Sequence, residues 1–184
     1  MAAANTLFSS HGYDRTGVSQ ICQAAGVSKG AFYHHFPSKH NVFMTLLQQW
    51  LEELDRKFLA IESASEDVLS AIHAMAASTD MIFTESQGQL SLFLEFWEKS
   101  IRDEKVWEET KEPFLKFFRY FSRVIKKGIE QGSIAPVDPA GAARALIGLA
   151  IGTILQGMLY PQDTDWNEEM QKGTDLLLKG LQNG

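Results

Sequence analysis

Apolar residues recur three and four positions apart along almost the whole 184-residue chain, and nowhere do they alternate with polar ones between turn residues. Three-to-four spacing is the period of an α-helix, so the chain is expected to be all α, with about nine helices. The first runs from about Ala2 to Ser10 and stops at His11-Gly12. Thr16 or Gly17 caps a short helix to Ala25, Gly26 turns the chain, and Ser28 caps a second short helix to Phe36, which Pro37 closes. Ser38 opens a long helix striped with Phe43, Leu46, Leu47, Trp50, Leu51, Leu54 and Phe58. Ser65 is read as the cap of a helix carrying Val68, Ile72 and Met75. Another helix covers Gln87 to Ile101. The next, Asp103 to Gln131, carries Phe114, Phe117, Phe118 and Phe121, with Pro113 placed to kink it and Gly132 ending it. Asp138 with Pro139 opens a helix to Leu159, and a last one runs from Asn167 to Leu181.

With 45% apolar residues the chain can fill a core without a structural metal or disulfide. Cys22 is its single cysteine, which rules out an internal disulfide and a cysteine-rich zinc site and suits a reducing cytoplasm. No continuous apolar run near the roughly 20 residues of a membrane helix is recognised, and no secretory signal opens the chain, so a soluble cytoplasmic protein without a membrane partner is expected. The net charge of -6 argues against nucleic acid until it is divided. Residues 1 to 45 hold Arg15, Lys29 and Lys39 against Asp14, 3 - 1 = +2, which leaves 14 - 22 = -8 for the remainder. A small cationic module therefore sits on an acidic body, whose field is screened beyond about 10 Å.

The chemistry concentrates in Val18 to Phe36, VSQICQAAGVSKGAFYHHF. Two short helices that cross closely need a small side chain at the crossing and a glycine at the turn, and Cys22 and Gly26 supply them. Ile21, Ala25, Val27, Phe32 and Phe36 are read as the apolar lock between the helices. Ser28, Lys29, Ala31, Tyr33, His34 and His35 are then left on the outer face of the second helix, where they can meet a major groove and its phosphates.

The block from Gly12 to Phe43, GYDRTGVSQICQAAGVSKGAFYHHFPSKHNVF, resembles the TetR family of bacterial regulators. The resemblance implies an N-terminal helix-turn-helix domain over 1–45, joined by the long helix to a C-terminal domain over 46–184 that binds an effector and dimerises. It places DNA contacts on Thr16, Ser28, Lys29, Gly30, Ala31, Tyr33, His34, His35 and Lys39. Gly17 departs from the family, which often has a threonine there. The resemblance also places Met75, Met81, Phe93, Trp97, Phe117, Phe118 and Phe121 on helices around an effector pocket for a small hydrophobic or amphipathic organic molecule. Aromatic stripes at helical spacing also fill ordinary cores, so most of these rings have a structural use as well.

The helix from Pro139 to Leu159 is apolar nearly all round, which demands burial on more than one side. Ala145, Gly148, Leu149, Gly152 and Leu155, with Thr174, Leu177 and Leu181 of the last helix, are read as half of a homodimer interface. No Ser-His-Asp or Cys-His pairing, phosphate loop or carboxylate pair suggests an enzyme, and no cofactor is expected. His34, His35 and His40 lack the spacing of a metal site, because adjacent helical residues point about 100° apart. The function expected is a repressor that binds a palindromic operator in double-stranded DNA as a dimer and is released by its effector. The alternatives are a helical interaction module without DNA binding, or an enzyme using the aromatic pocket.

Overall fold

The structure is a computed structural model. It describes residues 1–78, 94, 97, 98, 100–162 and 164–182, without the side chains of 105, 109, 110 and 113. Among the described residues the ordered elements are eight helices, here numbered α1 (Ala2–His11), α2 (Val18–Ala25), α3 (Lys29–His35), α4 (Lys39–Ala64), α5 (Val68–Ala77), α6 (Glu104–Glu130), α7 (Pro139–Leu159) and α8 (Trp166–Gln182). The helix expected over Gln87 to Ile101 lies mostly outside the described residues.

Local chemistry sets the helix ends. Gly12 ends α1 at φ 82°, and Gly17 starts α2, its N–H donating to Gln20 Oε1 at 2.7 Å. Gly26 ends α2 in the left-handed region at φ 66°, its N–H turned back onto the carbonyls of Cys22 and Gln23. The Ser28 hydroxyl accepts from Ala31 N at 3.1 Å, Ser38 accepts from Asn41 N at 3.2 Å, and Asp138 accepts from the first N–H groups of α7 behind Pro139. One cap is corrected. Asp67, not Ser65, starts α5, with Oδ1 accepting from Ser70 N at 2.7 Å, while the Ser65 hydroxyl donates back to Ile61 O and belongs to the end of α4.

The chain divides into two compact units, one within Met1–Leu54 and Glu85–Lys111, the other within Asp55–Thr84 and Glu112–Gly184. The long α4 contributes to both. In the first unit, Ala4, Phe8, Ile21, Cys22, Phe32, Val42, Phe43 and Leu47 are buried. Phe8, Tyr13 and Phe43 form a ring cluster, with Tyr13 and Phe43 centred 4.8 Å apart. The second unit is built on Phe58, Val68, Ile72, Met75, Phe121, Val124, Ile125, Ile134, Met170 and Leu178. Gly128 is there a packing necessity, since a Cβ on it would lie 2.6 Å from Ile134 Cδ1 and 3.1 Å from Val68 Cγ1.

Within that second unit α4 and α6 are also joined by charge. Asp55 and Glu62, two turns apart on α4, meet Lys116 at 2.6 Å and both Arg123 and Lys127 at 3.3 Å. The two carboxylates are only 16% and 17% exposed. The Tyr120 hydroxyl donates to Phe58 O between these pairs, and burial first, then the Glu62 carboxylate, pushes its ionisation well above the usual 10.0.

The sequence reading missed one property of α7. By length and composition this helix is long and apolar enough to cross a membrane, and only 28% of its apolar window is buried within the chain. It is interrupted by a single charge, Arg144, and its glycines dilute the apolar run to the eye. An apolar helix left so open is an uncovered surface.

Candidate nucleic-acid interface

Phe32 is the anchor of α3. At 6% exposure it is the one buried residue of this seven-residue helix, as Ile21 and Cys22 are buried on α2, and the rest of the helix is turned outward. Lys29, Gly30, Ala31, Tyr33, His34 and His35 are all exposed, Tyr33 at 54%, and Ser28 stands exposed at the start of the helix. Cys22 is 5% exposed, as a small side chain at a close crossing must be. The lock is smaller than its sequence reading. Ala25 is exposed and Val27 is 45% exposed, on either side of the left-handed Gly26, and Phe36 is only half-buried. Nothing packs closely on Gly30, where an added Cβ would meet only Ser28 Oγ at 3.7 Å, so the backbone there is open to a bulky ligand.

Two of the expected contacts have structural work as well. Lys39, half-buried at the start of α4, donates from Nζ to Tyr13 O at 2.8 Å and lies 4.0 Å above the Tyr13 ring. Its ammonium carries three protons, of which that carbonyl takes one. Thr16 is a correction. It is 1% exposed, and its hydroxyl donates into the carbonyls of Gly12 at 2.8 Å and Leu7 at 3.2 Å, so the side chain tethers the loop to α1 and is shut off from a phosphate. His34 and His35 stand edge to face with centroids 5.1 Å apart.

Family profiles match along the chain. The profile of bacterial regulatory proteins of the tetR family matches residues 1–44, and that of the BetI-type transcriptional repressor, C-terminal, matches residues 65–178. The chain belongs to the TetR family. Its curated relatives include the uncharacterized HTH-type transcriptional regulator YfiR of Bacillus subtilis, 27% identical over 87% of this chain and 78% of that protein. Among solved structures, a transcriptional regulator from Pseudomonas aeruginosa PAO1 superposes with a TM-score of 0.86 at 21% identity, over 100% of this chain and 88% of that one. One from Saccharomonospora viridis, crystallised in complex with choline, gives 0.83 at 18% identity over 97% and 93%. This TetR-family chain is therefore a DNA-binding transcriptional regulator of the repressor type, with an N-terminal helix-turn-helix and a C-terminal helical domain.

The residues expected around an effector separate in the structure. Met75 is 3% exposed in the core. Phe117 and Phe121 pack on Phe58, with centroids 6.2 and 5.5 Å away, whereas Phe118 lines an open groove between α6 and α7. Trp97 belongs to the first unit, and Met81 and Phe93 lie outside the described residues.

The dimer residues separate too. Ala145 and Gly148 are exposed, and Gly152 and Leu155 are half-buried. A Cβ added to Gly148 or Gly152 would meet nothing within 4 Å. Leu149 instead packs within the chain, its Cδ1 2.8 Å from where a Cβ on Gly173 would stand. Leu177 and Leu181 are half-buried on α8. Thr174 is corrected to the interior, 1% exposed with its hydroxyl donated to Met170 O at 2.8 Å.

Proposed function

We propose that this regulator represses by occupying a palindromic operator as a homodimer, each α3 in a major groove, and that a small organic effector releases it. The observation that carries the reading is the outward face of α3, where Lys29, Ala31, Tyr33, His34 and His35 stand free of the core on a helix fixed by Phe32. Tyr33 and Lys39 suit phosphates, which position the protein, and Ala31 and His34 suit base edges, which specify sequence. Ser28, Lys29, Gly30 and His35 complete the contact set. The +2 charge of residues 1 to 45 supports the same reading.

The uncovered α7 supports self-association. Its outward small residues Ala145, Gly148 and Gly152 allow a second copy to approach closely, and a symmetric pair would hold two recognition helices for half-sites about 34 to 36 Å apart. Action on DNA in turn implies residence where the DNA is, in the cytoplasm. Choline, the ligand of the Saccharomonospora viridis neighbour, is that protein's; this chain's effector class has to come from its own residues.

Selection of duplexes from a random pool by the dimeric protein tests the reading. A palindrome should be enriched; a dimer that enriches none would sink it. Tyr33→Phe should weaken binding to every sequence alike, whereas replacing Ala31 or His34 should change which bases are preferred.

A further inference from the structure

The open groove between α6 and α7 offers about 520 Å³, within the range of small-ligand sites. Its walls pair a short apolar floor, Leu115 and Phe118, with four cations, Arg119, Arg123 and Lys126 from α6 and Arg144 from α7. No acidic residue lines it, on a body whose residues 46 to 184 carry -8. Three of the cations are held from outside the groove: Arg119 by Glu112 at 2.9 Å, Arg123 by Glu62 at 3.3 Å and Lys126 by Glu130 at 3.8 Å. Arg144 has no hydrogen-bond or ion-pair partner among the described residues. The Arg119 and Lys126 pairs are exposed on both sides and exchange readily, so a ligand can recruit those cations at little cost, whereas drawing Arg123 from Glu62, only 17% exposed, costs more.

We propose that this groove is the effector site and that it takes an amphipathic organic anion, a carboxylate or a phosphate monoester on a short hydrocarbon tail. The headgroup sits on Arg144, whose planar guanidinium offers paired donors to either oxyanion, with Arg123 or Lys126 from the facing helix. The tail lies on Phe118 and Leu115. Arg123 also gives the site a route to the rest of the protein. It is one of two cations on Glu62, so an anion that draws it into the groove leaves the α4 carboxylate with Lys127 alone and loosens the α4–α6 clamp. Because α4 begins at Lys39, beside the recognition helix in sequence, the coupling offers a physical basis for release. The regulatory half of this proposal rests on the repressor reading; the binding half does not.

Calorimetric titration of the full chain, without DNA, with sodium decanoate, decyl phosphate, acetate and decyltrimethylammonium tests the site directly. Decanoate or decyl phosphate should bind, the tighter of the two naming the headgroup. Acetate should bind far more weakly, having no tail, and the cation not at all. Arg144→Ala, one turn before Gly148 at the edge of the face proposed for a second copy, should weaken the anion about tenfold or more while the protein sediments as the parent does. Equal binding of anion and cation, no binding of either anion, or an Arg144→Ala affinity within about twofold of the parent would overturn the site. A gel shift on the selected operator then reads the regulation. Decanoate or decyl phosphate should lower operator affinity in the parent and not in Arg144→Ala; an anion that binds and leaves operator affinity unchanged overturns the effector assignment. Failure to select any operator, with anion binding intact, marks the repressor reading as the one at fault.

Discussion

Lys39 lies 4.0 Å above the ring of Tyr13 and donates to that residue's carbonyl at 2.8 Å, so the first turn of α4 is tied to the loop after α1 by the same side chain proposed to hold a phosphate. Lys39→Met should therefore cost both stability and binding. The loss of stability should be about 1 kcal/mol in denaturant titration, from one hydrogen bond and one cation over a ring. DNA affinity should fall alike for all sequences, with the salt slope reduced by about one. An unchanged salt slope would leave Lys39 with only its structural role.

Thr16 should behave in the opposite way. Thr16→Val keeps the shape and removes the proton given to Gly12 and Leu7, so the variant should lose about 1 kcal/mol of stability. Operator affinity, measured where the variant is fully folded, should stay within about twofold of the parent, since the side chain is not offered to the backbone of DNA. A larger loss would restore Thr16 to the contact set.

Gly148 and Gly128 separate the two uses of a small residue. Gly148→Glu fills open space in the protomer and should leave its stability within about 0.5 kcal/mol while shifting the protein from dimer to monomer in sedimentation velocity. Gly128→Ala drives a methyl into Ile134 and Val68, and should cost about 1 kcal/mol or more with no specific effect on association. A Gly148→Glu protein that still sediments as a dimer would remove α7 from the interface.

Tyr120 predicts an alkaline weakness. Its ionisation is raised in the folded state above the ordinary 10.0 by burial first and the Glu62 carboxylate second, so the unfolded chain releases that proton at lower pH than the folded one. The stabilisation is complete below pH 10.0 and is lost progressively as pH rises above it toward the folded value. Tyr120→Phe should have a flatter stability profile above that pH in denaturant titrations; an identical slope in the two proteins would show that Tyr120 does not titrate on unfolding.

The helices and the outward face of α3 were legible in the sequence for local reasons. Gly26, Ser28, Ser38 and Asp138 with Pro139 act on backbone groups within four residues of themselves, so their roles follow from type and position. The outward set of α3 follows from one buried ring, Phe32, and a period of 3.6. Contacts between segments distant in the chain were not legible. Thr16 stood at a position of the TetR motif that implied DNA, yet its hydroxyl reaches back to Leu7. Phe117, Phe118 and Phe121 looked alike as a stripe, and only the placement of Phe58 and α7 sent two of them inward and one into the groove.

By itself, then, the sequence determined an all-helical chain with a DNA-reading helix near its start, because helical period, capping and the dense block from Gly12 to Phe43 are local signals. Only the tertiary structure decided that Glu62 faces Arg123 and Lys127, that Arg144, without a partner among the described residues, lines one groove with Phe118, and that α7 leaves Gly148 and Gly152 open. Each of those depends on which residues far apart in the chain come to share a surface, and neither helical period nor capping carries that information.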